Sequence, residues 1–97
     1  MSREFILFIT DDLRPYLSVL ELGLQSLERQ MSTPFFQYPA TRIGYKPHFA
    51  RIILSDKADA LLQKLKKPRQ TDQEVLYAAL FLAKKEREES SRYYQSV

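Results

Sequence analysis

A predominantly helical α+β domain is predicted from three stretches of the 97-residue sequence. They are the apolar run Phe5 to Ile9, a ladder of leucines from Leu13 to Met31, and an ordered series between Ala50 and Glu86 of strand, polar stop, helix, basic turn and capped helix. Five apolar residues in a row read as a strand, and an apolar residue every three or four positions reads as a helix. Hydrophobic residues make up 44% of the chain, enough for a core and too many for a disordered segment. The length suits one domain, 1–97. Within it lie a strand and long helix (1–32), a Pro-rich aromatic connection (33–49) and a strand-helix-helix segment (50–92).

Phe5-Ile6-Leu7-Phe8-Ile9 is bounded by Arg3-Glu4 and Thr10-Asp11-Asp12. Without polar alternation it reads as a strand covered on both faces or lying centrally in a sheet, and it needs neighbours. Thr10, Asp11 and Asp12 are candidate N-caps for a helix, with Pro15 tolerable in its first turn. Leu13, Leu17, Leu20, Leu24, Leu27 and Met31 alternate spacings of four and three. They predict one helix of roughly 20 residues, about 30 Å long, packed along another helix. Gly23 weakens that helix slightly and suits a close approach by a neighbour.

Residues 33–49 break the helical pattern. Pro34, Pro39 and Pro47 restrict the backbone, and Gly44 permits a turn from which Ile43-Gly44-Tyr45 could pair with the following strand as a loose hairpin. Phe35, Phe36, Tyr38, Tyr45 and Phe49 all fall here. Three uses are open to them. They finish the core under an extended connection, they form a protein-docking arm, or, interleaved with Arg42, Lys46 and His48, they stack on unpaired bases.

Arg51-Ile52-Ile53-Leu54 is β-branched and apolar, and Ser55-Asp56 supplies a capping residue, so the chain turns directly from strand into helix. Ala58, Leu61, Leu62 and Leu65 form one apolar stripe, with Lys57, Asp59, Gln63, Lys64 and Lys66 mostly opposite. Pro68 stops this helix near Lys67. Thr71-Asp72-Gln73-Glu74 has the spacing of a capping box. Val75, Leu76, Ala79, Leu80, Leu82 and Ala83, with Tyr77 and Phe81, make the second helix apolar over most of its circumference as far as Lys84. Burial on more than one side is expected. Charges of both signs carry it on to Arg92 in solvent, with fraying expected from Ser90.

The strand Ala50 to Leu54, the stop Ser55-Asp56, the helix Ala58 to Leu65 and the capped helix Thr71 to Leu80 together resemble the ribbon-helix-helix family of β-ribbon DNA-binding proteins. The resemblance implies a homodimer, in which two chains pair their strands into an antiparallel ribbon that enters the major groove of double-stranded DNA. In the family's register Ala50, Ile52 and Leu54 point inward and Phe49, Arg51 and Ile53 outward. It implies DNA contacts by Arg51 and Ile53 on the ribbon, by Lys57, Lys66, Lys67 and Arg69 around it, and by Thr71 at a helix N-terminus that attracts phosphate. The expected function on this reading is a small dimeric DNA-binding regulator. Phe49 and Ile53 depart from the polar reading face usual in the family. They support a second reading, a noncatalytic protein–protein adaptor or complex subunit using Phe35, Phe36, Tyr38, Tyr45 and Phe49. A second fold is also open, a compact βαβαα monomer whose two strands pair through a right-handed crossover.

Charge and absent chemistry narrow the function classes. The formal net charge is +3, yet residues 46–70 hold seven basic side chains against two acidic ones. That is where phosphate contacts would fall, although a lysine-rich helix face is equally served by water. With no cysteine there is no disulfide, thiol nucleophile or Cys-based metal site. His48 is the single histidine and has no carboxylate or second imidazole near it in sequence. Two glycines leave no phosphate-binding loop. Neither an enzyme nor a cofactor nor a metal is expected. An export signal and an apolar run near 18 residues are both missing, so no membrane span and a cytoplasmic location are the expectations.

Overall fold

The computed structural model describes residues 3–38 and 48–95, with side chains as far as residue 89. Strand β1 (Arg3–Ile9) leads into a 3-10 helix (Asp11–Val19) and helix α1 (Leu20–Met31). Strand β2 (His48–Leu54) leads into helix α2 (Asp56–Leu65) and helix α3 (Asp72–Gln95). The architecture is α+β and mostly helical, with a two-stranded sheet.

β1 and β2 pair with each other, antiparallel, from Arg3 opposite Leu54 to Ile9 opposite His48. The partner of β2 is therefore a strand of the same chain, in the order βαβαα, and the parallel crossover expected for that order is corrected to an antiparallel pair. The chain re-enters the sheet at the end where it left. The sixteen residues between Met31 and His48 can span about 50 Å extended, well beyond the ~18 Å rise of the twelve-residue α1, so nothing forces a parallel return. With β1 as second strand the core closes within one chain.

Both strands alternate. Ile52 and Leu54 are buried and Ala50 half-buried, while Phe49, Arg51 and Ile53 face out, the inward and outward sets that the resemblance implies. β1 obeys the same rule, which corrects the expectation of a strand covered on both faces. Phe5, Leu7 and Ile9 are buried, but Ile6 and Phe8 lie on a face that no described helix covers. The uniform composition of the run hides a period of two that its neighbours impose.

The leucine ladder is core, yet it is not one helix. The ring of Pro15 disfavours the α conformation at Arg14 and removes a backbone donor, and nine residues wind in 3-10 geometry before the α-helix begins at Leu20. Leu13, Leu20, Leu24 and Leu27 are buried against β1 and α3 together with Leu62, Val75 and Leu80. Gly23 faces Ala79 so closely that a Cβ there would lie 2.2 Å from the Ala79 carbonyl oxygen. A side chain would hold α1 and α3 apart.

Two of the three expected caps form, while Thr10, at the start of the 3-10 helix, makes no side-chain cap bond and gives its hydroxyl to Asp12 instead. The Ser55 hydroxyl accepts from the Ala58 N–H (3.2 Å), and the Thr71 hydroxyl accepts from the Glu74 N–H (3.2 Å). Between them Lys67 to Gln70 makes a tight turn closed by the Gln70 N–H on the Lys67 carbonyl (3.0 Å). Pro68 takes the second position and Arg69, at φ 75°, the third, where glycine or asparagine is usual. α3 stays helical to Gln95, past the expected onset of fraying. The proposed hairpin at Ile43-Gly44-Tyr45 lies outside the described residues.

Candidate docking surface on the sheet

The outer sheet face is made of three cross-strand pairs: Glu4 opposite Ile53, Ile6 opposite Arg51, and Phe8 opposite Phe49. The phenyl rings of the last pair lie 4.1 Å apart at 46°. Ile6 is 60% exposed, Phe49 68% and Ile53 71%. Arg51, the one cation on this face, holds its Nε 3.6 Å from Glu4 Oε1. The face is thus four apolar side chains around one neutralised ion pair.

Its two edges differ. On β1 the Phe8 N–H donates to Gln73 Oε1 and the Phe8 carbonyl accepts from Gln73 Nε2, both at 2.8 Å. The side-chain amide thus occupies that edge as a neighbouring peptide would. On β2 a groove of 450 Å³ runs between Arg51 to Ser55 on one side and Leu17, Ser18, Leu20 and Glu21 on the other. Another groove, 510 Å³, separates α1 from α2 and is rimmed by Glu21, Glu28, Lys57 and Lys64.

The residues expected to contact DNA are not gathered on one surface. Arg51 and Ile53 lie on the outer face, and Lys57 borders the groove between α1 and α2. Lys66 Nζ lies 3.2 Å from Asp72 Oδ1, and Asp72 also receives Arg3 (3.7 Å), so carboxylate and cations of the chain itself occupy the start of α3. Lys67 sits over the Tyr38 ring, 5.7 Å from its centroid, next to exposed Arg69. The Thr71 hydroxyl is engaged as the cap of α3.

The aromatic set divides as well. Phe36 and Tyr38 stack edge to face (5.2 Å) and pack on the core, with the Tyr38 hydroxyl reaching Gln70 Oε1 at 3.3 Å. Phe35 points into solvent, 99% exposed, at φ 64°. Phe49 joins the sheet face, and Tyr45 lies outside the described residues. Ile6, Phe8 and Gln73 were missing from the expected site. Counting outward from Glu4 in steps of two would have found Ile6 and Phe8, but no local signal marks Gln73, whose partner lies 65 residues away.

Folding also supplies polar neighbours that the sequence conceals. His48 Nε2 lies 3.3 Å from Asp11 Oδ1. Asp12 accepts from Lys84 Nζ at 2.8 Å and from the Thr10 hydroxyl. The hydrogen bond from Lys84 comes first, then that from Thr10, in holding the Asp12 carboxyl below its ordinary value. The same contact raises Lys84. Among the described residues no three His, Asp or Glu side chains converge to hold a metal ion, and no helix is long and apolar enough to cross a membrane. No family model, curated protein or solved structure matches this chain.

Proposed function

We propose that the protein is a noncatalytic adaptor or complex subunit that docks a protein partner on the outer face of its sheet. The observation that carries this reading is the uncovered apolar set Ile6, Phe8, Phe49 and Ile53, with Arg51 already paired to Glu4. Contiguous exposed apolar surface favours a covering partner, and base edges and phosphates call instead for free donors and cations. The test places a photo-crosslinking residue at Phe49 of the full chain in its host cell. A discrete protein adduct that disappears with Phe8→Glu is expected. Nucleic acid as the sole adduct would contradict the reading.

The concentration of cations in residues 46–70, with exposed Lys67 and Arg69 adjacent on one turn, favours a second reading as a DNA-binding regulator. On that reading affinity for duplex DNA falls steeply with salt, and Arg51→Ala with Lys67→Ala weakens binding and flattens the salt dependence. Equal binding by variant and wild type would remove these residues from the contact surface.

A further inference from the structure

We propose that Gln73 is a plug on the β1 edge of the sheet: its carboxamide holds the place of a neighbouring peptide unit at Phe8 and so keeps a further strand from adding to β1. The plug acts on the edge of the sheet, whatever docks on its outer face.

β1 is the stretch most in need of such a device. Its run Phe5 to Ile9 is apolar throughout, and Phe5, Ile6, Phe8 and Ile9 are of the aromatic and β-branched types that favour strands. Segments of this composition pair readily with other strands, and the proline or lysine that commonly blunts an exposed edge is missing from REFILFI.

The parity of the ladder identifies the backbone groups that this edge presents. In an antiparallel pair, successive residues turn their N–H and carbonyl groups alternately toward and away from the partner strand. Phe8 gives both groups to Gln73, so Phe8, and with it Ile6 and Glu4, turns them away from β2. Those are the residues an added strand would bond. Gln73 takes Phe8 with two bonds of 2.8 Å, one donated and one accepted.

A carboxamide suits this task because it carries a donor and an acceptor side by side, as a peptide group does. Glutamate would meet the Phe8 carbonyl with a second acceptor, and asparagine falls one methylene short. The first turn of α3 sets Gln73 in place. Its cap joins the Thr71 hydroxyl to the Glu74 N–H (3.2 Å) and leaves the Gln73 side chain free to reach β1. Asp72, next to it, receives Arg3 of β1 at 3.7 Å and Lys66 at 3.2 Å. Strand and helix start are thus tied at two points, and the carboxamide lies in the path of an incoming strand, which would run about 4.8 Å from β1.

In the full chain, Gln73→Ala should keep the far-UV circular dichroism of the wild type while the Phe8 amide exchanges at least about tenfold faster, with Phe5 and Leu7 still slow. Sedimentation velocity should then show species larger than those of the wild type at equal concentration. Gln73→Asn, which keeps the carboxamide but not its reach, should do the same. Adding Ile6→Pro deletes the next outward N–H of the edge, and adding Ile6→Lys places a charge beside it; each should restore the wild-type distribution. Faster Phe8 exchange with unchanged sedimentation would make the contact a brace only and overturn the plug. Association that survives both changes at Ile6 would overturn it too, as would unchanged Phe8 exchange in both Gln73 variants.

Discussion

Gly23 shows how one residue sets the spacing of two helices. Alanine there gains helix propensity, about 1 kcal/mol, but its Cβ would meet backbone atoms of Ala79, which cannot swing aside as a flexible side chain can. Gly23→Ala should therefore lower stability by about 1–3 kcal/mol in urea melts, the usual cost of overpacking. An unchanged or raised midpoint would contradict the close approach. Arg69 is the opposite case, a side chain where none is required. At φ 75° it occupies a region costly for residues with a Cβ, so Arg69→Gly should raise stability by about 0.5 kcal/mol, read as an upward shift in thermal midpoint. A lower midpoint would mean that the arginine makes a stabilising contact. Asp12 and Lys84 make a pH-dependent pair. Because the Asp12 carboxyl is held below its ordinary value, its contribution is present above pH ~4 and is lost as pH falls through the lowered folded value. Lys84 is raised, so its share is present below its ordinary range and is lost only in strong alkali. Both side chains are solvent-accessible, and about 0.2–1 kcal/mol is the expected scale. Asp12→Asn should be less stable than wild type at pH 6 and equal to it near pH 2, whereas a constant offset across that range would contradict the assignment. Gly23 was legible in the sequence as a break among leucines. Asp12's partner was not, because 72 positions separate it from Lys84.

At the scale of elements, local rules carried far. Ser55 and Thr71 were readable as caps because a hydroxyl three residues ahead of an orphan N–H is a short-range geometry, indifferent to the rest of the fold. The outward placement of Phe49, Arg51 and Ile53 came with the register that the resemblance implies, and a strand's period of two keeps the three on one face. β1 was harder to read, since five apolar residues give no alternation to see. The observed faces can be separated by truncation. Leu7→Ala should cost about 2–5 kcal/mol and Ile6→Ala less than about 1, both measured by chemical denaturation. Equal losses would mean that the face bearing Ile6 is covered in the folded protein. The single long helix fails for a local reason that the sequence carries: Pro15 constrains Arg14 before it as well as its own backbone.

At the scale of the molecule, the sequence was least informative about what meets what. The lysines and arginines of residues 46–70 cluster along the chain, but among those described Lys64 pairs with Glu28, Lys66 with Asp72 and Arg51 with Glu4. Strand pairing was equally hidden, because two apolar runs separated by 38 residues carry no mark of direction. What the fold builds from them is a sheet with one face on the core and one that no described helix covers, and with Gln73 bonded to the β1 edge at Phe8. The docking face depends on that register. Its most direct test is residue-resolved amide hydrogen exchange in dilute solution. Slow exchange is expected at Phe5, Leu7, Ala50 and Ile52, bonded between the strands, and at Phe8, bonded to Gln73, with fast exchange at Arg51 and Ile53. Slow exchange at Arg51 and Ile53 with fast exchange at Ala50 and Ile52 would contradict the register, and with it the docking face.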